Sequence, residues 1–402
     1  MKIVTFSTLF PNTVKPGHGI FVETRLRHLV ASGKVEARVV APVPWFPARH
    51  RRFGHYADFA RVPAAEQRNG LSVLHPRYLV LPKIGMNLAP ALLARAGKKA
   101  FGDLLDQGYD FDLIDAHYFY PDGVAAVMLG RYFNKPVVVT SRGSDISLIP
   151  QFPLPRRMIR WAAGRADALI TVCNALKAEL VQLGVDEAKV SSLRNGVDLQ
   201  RFVPGPRAQQ RATLGCDGFT LLAVGHLVPV KGHALMIGAL PLLPGVSLLV
   251  AGDGPERARL EAQAGALGVA GRVRFLGALP QTALPALYSA ADALLLSSSR
   301  EGWANVLLEA MACGTPVVAS RVWGTPEVVA EAAAGVLMEE YSAQGVADAV
   351  NTLRANAPAR DATRRYAEQF SWDATTDGQL HLFHTVLARR RGGSMAAAGS
   401  HP

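Results

Sequence analysis

Glu301 and Glu309 are the residues whose types and spacing point most directly to chemistry. They bracket one continuous motif, Arg300-Glu301-Gly302-Trp303-Ala304-Asn305-Val306-Leu307-Leu308-Glu309. Glu301 lies in a Gly-containing loop and Glu309 about one turn into a predicted helix, so both carboxylates can face one ligand. Carboxylates accept hydrogen bonds from vicinal hydroxyl groups, and the N–H groups at a helix start suit a phosphate. A nucleotide sugar is one ligand that carries both kinds of group.

The flanks of this motif predict a βαβ unit. Residues 293–298 form a short apolar run that is typical of a buried parallel strand. Asn305 is a good N-cap, Gly314 can end the helix in a left-handed conformation, and residues 316–320 predict the next strand. The loop and first helical turn of such a unit form the crevice where α/β proteins bind ligands. The alternative is two solvated acids on a surface helix, which is the more frequent case for an arbitrary Glu pair at this spacing.

A cation follows another predicted strand. Gly225 and His226 come directly after the strand at 219–224, and Lys231 precedes the next helix. A strand, a Gly turn and a Lys near a helix start create a site for a diphosphate, in which the ammonium group is a point charge. The alternative is an ordinary Lys at a helix entry, and the Glu pair in the same half of the chain favours the phosphate site.

Two polar segments follow strands in the first half of the chain. His117 stands at the end of the strand predicted at 111–116, where its ring could bind a sugar hydroxyl or a phosphate. Arg142 and Asp145 follow the next strand, and we expect them near an acceptor or the phosphates. Isolated histidines are more often structural or exposed, so it is the position of His117 that favours a function.

The motif at 300–316 resembles the signature of the retaining nucleotide-sugar glycosyltransferases of family 4, and the resemblance covers nearly the whole chain. It implies that Glu301 contacts the hydroxyls of the transferred sugar, that Glu309 holds the ribose, and that Lys231 stabilises the departing diphosphate. His117 would contact the sugar. Further donor-binding residues that the resemblance implies are Gly19, Gly225, His226, Arg300, Gly302, Asn305 and Val306. Residues that it implies on the acceptor side are His18, Arg142 and Asp145.

The sequence departs from the family pattern at His226, where an Arg is usual. An Arg is always charged and can hold a phosphate through two hydrogen bonds, whereas His is often neutral at pH 7. Arg300 or Arg142 could supply the charge that the pattern expects there. The segment at 17–19 is similar to the family's glycine loop, where only Gly lets backbone N–H groups come close to the diphosphate.

Alternating apolar runs and helical patterns predict two α/β domains with parallel sheets. The resemblance implies the GT-B fold, in which two doubly wound Rossmann-like domains face each other across a cleft and a C-terminal helix crosses back to the first domain. We place the acceptor-side domain at 1–198, with the final helix at 370–391, and the nucleotide-sugar domain at 205–369. The composition of residues 392–402 predicts a disordered tail. The Pro-rich and aromatic loop at 42–68 is a candidate acceptor-binding region.

The composition excludes several classes of protein. The chain has 402 residues, of which 49% are hydrophobic, so two sizeable cores are available. Its three cysteines lie far apart, which argues against a disulfide framework and a structural zinc site, and we expect no metal. The sequence shows neither a secretory leader nor a membrane-spanning run, so we expect a cytoplasmic protein.

The net charge of +11, from 43 basic and 32 acidic residues, suits anionic partners. Nucleic acid has the least support, because the sequence lacks a zinc knuckle, an RNA-recognition signature and basic stretches interleaved with aromatic residues. The basic clusters at 49–52 and 156–160 fit an anionic membrane surface, and so predict peripheral association with the inner face of the cell membrane. Solvated Arg faces are the alternative.

These features together predict a metal-independent, retaining glycosyltransferase that moves a sugar from a nucleotide diphosphate sugar to a hydroxyl acceptor. The acceptor would be a polysaccharide or a lipid-linked chain, in the synthesis of cell-surface polysaccharide or glycolipid. The alternatives are a nucleotide-sugar epimerase of the same fold and a non-catalytic nucleotide-sugar-binding protein.

Overall fold

The chain folds into two compact units. The computed structural model describes residues 1–48, 50, 52, 55–80 and 85–398. Unit 1 holds residues 1–194 and the C-terminal segment from Asp373, and unit 2 holds Asn195–Trp372.

Unit 2 begins slightly earlier than the boundary that the sequence places at 198–205. The backbone N–H of Val197 donates to the carbonyl oxygen of Phe370 at 2.9 Å, and the side-chain amide of Asn195 donates to Asn305 at 3.2 Å. These hydrogen bonds tie the connecting segment to unit 2.

Unit 1 alternates strands and helices, as its apolar runs predict. Its strands are β1 (Lys2–Phe6), β2 (Glu36–Val40), β3 (Val43–Pro44), β4 (Ala65–Arg68), β5 (Leu71–Leu74), β6 (Arg77–Tyr78), β7 (Leu113–His117), β8 (Val137–Ser141), β9 (Ala168–Thr171) and β10 (Val190–Ser192). Its helices before the connection to unit 2 are α1 (Ile20–Ala31), α2 (His55–Arg61), α3 (Gly85–Asp106), α4 (Val124–Phe133), α5 (Ser144–Ser147), α6 (Pro153–Arg165) and α7 (Asn174–Gln182).

Eight of these strands form one sheet, in the order β10-β9-β8-β7-β1-β2-β5-β4. The strands pair in parallel except for β4 against β5, and β3 pairs separately with β6. β7 and β8 are buried over their whole length, including their polar residues Asp115, His117, Thr140 and Ser141. His117 pairs with Thr140 in the register of β7 and β8, so the loops that follow these two strands leave the sheet side by side.

Unit 2 repeats this alternation. Its strands are β11 (Phe219–Val224), β12 (Val246–Ala251), β13 (Val273–Gly277), β14 (Ala293–Leu296), β15 (Val317–Ser320) and β16 (Gly335–Met338). Its helices are α8 (Arg207–Leu214), α9 (His233–Ala239), α10 (Arg257–Ala266), α11 (Leu284–Ala290), α12 (Asn305–Ala312), α13 (Thr325–Val328), α14 (Ala343–Ala355) and α15 (Arg360–Glu368).

The sheet of unit 2 is parallel and has the order β13-β12-β11-β14-β15-β16. β11 therefore lies between β12 and β14, and Leu222 of β11 pairs with Leu294 of β14. Parallel neighbours end at the same edge of a sheet. The loops that carry Lys231 and Glu301 follow β11 and β14, so they emerge next to each other.

The predicted α/β class with two parallel sheets is confirmed. The sequence analysis misses β3, β4, β6 and β16, because strands of two to four residues show little periodicity. Residues 42–68, predicted as a long loop, contain β3, α2 and β4. Within the basic cluster at 49–52, Arg49 and Arg51 lie outside the described residues.

The last helix, α16 (Trp372–Ala398), joins the core of unit 1. Phe383 is fully buried, and it packs with Leu380 and Val386 in the same apolar cluster as β1 and α1. The sequence analysis ends this helix at 391 and predicts a disordered tail after it. The backbone instead stays helical to Ala398, since alanine has the highest helix propensity; residues 399–402 lie outside the described residues.

Replacing Phe383 tests the attachment of α16. We expect Phe383→Ala to lower the free energy of unfolding by about 3 to 5 kcal/mol, because it leaves a cavity in the core of unit 1. Chemical denaturation followed by circular dichroism measures this loss. His384, the next residue, is exposed, so His384→Ala should change the free energy by less than about 0.5 kcal/mol. Equal effects of the two substitutions would contradict the packing.

Candidate functional site

The turn that carries Lys231 is shaped by close packing against the end of β14. A short 3-10 turn at Pro229–Lys231 follows β11 and ends at Gly232. Gly232 has a φ of +68°, and a Cβ atom there would lie 1.9 Å from the carbonyl oxygen of Ser297. Only glycine fits this contact, and the contact brings Lys231 beside the loop that follows β14.

Lys231 and Glu301 form an ion pair. The Nζ atom of Lys231 lies 2.5 Å from Oε1 of Glu301, and the hydroxyl of Ser298 donates to the same oxygen at 2.7 Å. The side chain of Glu301 is only 10% exposed, while that of Lys231 is 29% exposed. The pair therefore places a cation and an anion together at the edge of the sheet, with Lys231 the more accessible group.

Glu309 has a different set of partners on α12. Its Oε2 atom accepts a hydrogen bond from the hydroxyl of Tyr288 at 2.8 Å, and its Oε1 atom accepts one from Gln281 at 3.4 Å. Burial raises the pKa of Glu309, and the hydrogen bond from Tyr288 lowers it in part. The hydrogen bond from Tyr288 to Oε2 thus holds the carboxylate in place, whereas Oε1 has only the longer hydrogen bond from Gln281.

The start of α12 differs from its prediction. Asn305 is the first residue of the helix and Ala304 is the N-cap, so the expected N-cap at Asn305 is wrong by one position. The Oδ1 atom of Asn305 accepts from Asn195 instead of from the helix. Gly302 is buried, whereas Arg300 and Val306 are half-buried beside the same loop.

A cavity of about 650 Å³ lies at the ends of β11 and β12. Its lining includes Gly225, His226, Gly252 and Leu284. His226 is exposed, so its ring is accessible to a ligand in this cavity. The volume falls in the range of small-molecule sites.

In unit 1, His117 belongs to a buried polar cluster. Its Nδ1 atom lies 2.7 Å from Nη2 of Arg142, and its Nε2 atom lies 3.0 Å from Oδ2 of Asp115. Because a guanidinium group only donates hydrogen bonds, Nδ1 is the acceptor and Nε2 carries the proton. Gln379 of α16 also donates to Asp115, at 3.3 Å.

Both ring nitrogens of His117 are therefore engaged inside unit 1, and the residue is only 1% exposed. Burial lowers its pKa to about 4, although the charge of Asp115 acts in the opposite direction. The ring is neutral at pH 7 in this arrangement. The expected contact between His117 and a sugar stays a prediction, and it requires the ring to exchange one of these partners.

Arg142 and Asp145 organise the loop after β8. Asp145 is fully buried, and its carboxylate accepts hydrogen bonds from the backbone N–H groups of Phe119, Arg142 and Gly143 at 2.6 to 3.1 Å. This pattern identifies Asp145 as a residue that holds the loop together. Arg142 is 9% exposed, and its guanidinium lies 5.4 Å from the centre of the Phe21 ring.

The predicted glycine loop precedes α1. Gly19 has a φ of +67°, and a Cβ atom there would lie 2.3 Å from the carbonyl oxygen of Leu9. His18 is exposed, and its Nε2 atom lies 3.1 Å from the carbonyl oxygen of Thr8. Glycine is thus required at 19 by the packing of the loop on the segment after β1.

Sequence reasoning missed several residues that hold these groups. Ser298 and Tyr288 bind the two glutamates, and Asp115 binds His117. Asp122 accepts hydrogen bonds from the N–H and hydroxyl of Thr8, and burial raises its pKa to about 7. Ser298 follows the end of β14, which was an available signal; Asp115 lies in the middle of β7 and Tyr288 within a helix, and neither position gave one.

Two family models match the chain. One is Glycosyltransferase Family 4, over residues 17–201, and the other is Glycosyl transferases group 1, over residues 207–370. This chain belongs to the family 4 glycosyltransferases. The family that the sequence motif resembles is confirmed.

A curated relative of this family 4 glycosyltransferase is the D-inositol 3-phosphate glycosyltransferase of Mycobacterium tuberculosis. The two are 32% identical over 320 residues, which cover 72% of this chain and 66% of the relative. The chain thus spans slightly less than two thirds of the length of that protein.

Solved structures confirm the GT-B fold of this family 4 glycosyltransferase. Sucrose-phosphate synthase from Thermosynechococcus elongatus has a TM-score of 0.78 at 20% sequence identity. The alignment covers 96% of this chain and 99% of the synthase chain. Anabaena HepE in complex with UDP-glucose has a TM-score of 0.71 at 21% identity, with 96% and 100% covered. In the described part of the family 4 chain, the helices are too short or too polar to cross a membrane.

The pH dependence of stability tests the buried state of His117 in this family 4 glycosyltransferase. Its pKa is lowered from 6.5 to about 4, so its neutral form stabilises the fold above pH 6.5. That contribution is lost as the pH falls from 6.5 towards 4. We expect His117→Gln to show a smaller decline in the free energy of unfolding over this window, measured by urea denaturation. The exposed His384→Gln is the control and should follow the unmodified protein. Equal declines in His117→Gln and the unmodified protein would disprove the buried neutral state.

Proposed function

We propose that this family 4 glycosyltransferase transfers a sugar from a nucleotide diphosphate sugar to a hydroxyl group, with retention of anomeric configuration. The observation that carries the proposal is the ion pair of Lys231 and Glu301 beside a cavity at the strand ends of unit 2. Glu309 adds a second, separately held carboxylate on α12. In such a donor, the diphosphate requires a cation. The sugar and the ribose each require a group that accepts hydrogen bonds from their hydroxyls.

Lys231 binds the diphosphate in this proposal. Its ammonium group is partly exposed and is held by Glu301 at 2.5 Å, so it is oriented before a ligand arrives. A phosphate that replaces part of this contact gains a charge-assisted hydrogen bond. Stabilising the negative charge on the departing diphosphate lowers the barrier to transfer, and we propose that Lys231 does so without a metal ion.

The two glutamates bind different hydroxyl groups of the donor. Glu301 lies next to Lys231, which matches the position of the transferred sugar beside the diphosphate. Glu309 lies on α12, where it accepts hydrogen bonds from Tyr288 and Gln281, and we assign it to the ribose. The cavity lined by His226 then takes the nucleoside end of the donor.

The donors of related folds support this class of substrate. Anabaena HepE is solved with UDP and with UDP-glucose, and starch synthase IV from Arabidopsis thaliana is solved with ADP. Two different bases occur among these neighbours, so we propose the nucleotide diphosphate as the shared element. The inositol phosphate in the name of the mycobacterial relative makes a phosphorylated polyol an acceptor to test beside polysaccharide and lipid-linked acceptors.

Nucleotide release separates this proposal from its alternatives. We expect one nucleotide sugar in a thermal-shift panel to raise the melting temperature, and that donor to release nucleotide only when an acceptor is added. The rate should be the same with and without EDTA, and Lys231→Met should lower turnover about a hundredfold to a thousandfold. Conversion of the donor without an acceptor would indicate an epimerase, and binding without release would indicate a non-catalytic protein. Either result overturns the proposal.

A matched pair of substitutions tests the division of roles between the carboxylates. We expect Glu301→Gln to lower the turnover number about a hundredfold while the dissociation constant of the nucleotide changes little. Glu309→Gln should instead weaken nucleotide binding about tenfold, because a charge-assisted hydrogen bond is lost. Initial rates and calorimetric titration with the free nucleotide measure the two effects.

The exposed Glu340 provides the control for this pair, and Glu340→Gln should leave both quantities unchanged. If Glu301→Gln and Glu309→Gln gave the same kinetic profile, the assignment of separate sugar and ribose sites would be wrong.

A further inference from the structure

Unit 1 contains a groove that the proposed donor site does not use. It lies between α3 and the strands β5 and β6, and its volume is about 940 Å³. This volume is at the upper end of the range for small-molecule sites. We call it the α3 groove and define it by six of its lining residues, Leu74, Tyr78, Leu79, Leu92, Ala96 and Ala100.

The floor of the α3 groove is apolar. Leu92, Ala96 and Ala100 are spaced by four residues on α3, so they lie along one face of the helix. Leu74 at the end of β5 forms the opposite wall. The short side chains at 96 and 100 leave space between the helix and the strands, and the lining that these residues form is apolar, as a hydrocarbon chain requires.

Large apolar side chains are exposed at the mouth of the groove. Leu79 is 52% exposed and Val80 is 47% exposed. Trp45, which is 51% exposed, lies on the neighbouring strand end, because its N–H donates to the carbonyl oxygen of Tyr78 at 2.7 Å. Leu79 also belongs to the groove lining, so at this residue the apolar lining reaches the solvent.

The charged groups at the groove differ in their partners. Arg95 is exposed and makes no ion pair or hydrogen bond within the described ranges. Lys99 is paired with Asp103 at 2.9 Å, and His75 with Glu66 at 2.9 Å. The guanidinium of Arg77 donates to the backbone carbonyl oxygens of Phe59 and Val62.

We propose that the α3 groove binds the hydrocarbon chain of a single anionic amphiphile, with Arg95 at its negatively charged head. The groove of about 940 Å³ is lined by α3 on one side and by the strands on the other, whereas docking on a bilayer plane requires an apolar face that projects from the surface. One lipid molecule is therefore the occupant that fits both the volume and the charge. The site is separate from the donor site in unit 2 and does not depend on the proposed sugar transfer.

A series of alkyl phosphates tests the apolar part of this site. Calorimetric titration below the critical micelle concentration should show binding that tightens about fourfold for each added methylene, until the groove is full. Ala96→Phe fills the groove and should weaken binding at least tenfold. The control is Ala91→Phe, at an exposed position of the same helix outside the groove lining. Leu79→Ser, at an exposed position, should also weaken binding and is expected to fold normally.

The role of the charge on Arg95 is tested with two ligands that share one alkyl chain and differ in their head group. Arg95→Gln should weaken dodecyl phosphate binding about tenfold and leave dodecanol binding unchanged, because only the phosphate carries a charge. Lys98, on the same helix, lies 3.8 Å over the ring of Tyr132 and is not part of the groove lining, so Lys98→Gln is the matched control.

Three results would overturn the proposal. They are equal binding by Ala96→Phe and the unmodified protein, equal loss in Arg95→Gln and Lys98→Gln, and binding to anionic vesicles without binding to monomeric alkyl phosphate. Donor binding is measured on the same samples, and Ala96→Phe should keep its full nucleotide release with a water-soluble acceptor. Failure of the amphiphile to bind while nucleotide release persists would refute the groove site alone, and the opposite result would refute the sugar transfer alone.

Discussion

The ion pair between Lys231 and Glu301 is the interaction on which the candidate site depends. It joins the loop after β11 to the loop after β14, and it holds both side chains at the edge of the sheet. A partly buried carboxylate without a partner would be costly, so each residue favours the other's position before any ligand binds. Ser298 and the contact of Gly232 with Ser297 restrict the pair further. Preorganisation of this kind is what electrostatic stabilisation of a leaving group requires.

Unit 1 uses its charges in a different way. Asp115, His117 and Arg142 form a buried chain of hydrogen bonds that reaches Gln379 on α16. Burial keeps the ring of His117 neutral. The C-terminal helix thereby supports the strand end at β7, although its sequence lies more than two hundred residues away. Lys231 in unit 2, with 29% of its side chain exposed, is more accessible than the members of this cluster.

The α3 groove is built differently from the candidate donor site. The residues of that site lie at or just after the carboxyl edge of parallel strands, where α/β proteins bind ligands. The groove instead depends on short residues, Ala96 and Ala100, on one face of a helix. Alanines at this spacing occur in any packed helix, so they carry no signal in the sequence. Their significance appears only when the strands opposite are too far away to fill the space.

The sequence by itself determined the α/β class, the order of the main strands and the family, because apolar runs and the motif around Glu301 are local features. It also placed Lys231 and Glu301 in loops that follow strands, where the parallel sheet then brings them together, and Glu309 in the helix that follows Glu301. Only the tertiary structure decided their partners. Tyr288 reaches Glu309 from another helix, and Gln379 reaches Asp115 from the other end of the chain. Such contacts depend on packing between distant segments, which residue spacing does not encode. For the same reason, the sequence indicated a ligand-binding role for His117, whereas the structure engages both of its ring nitrogens within unit 1.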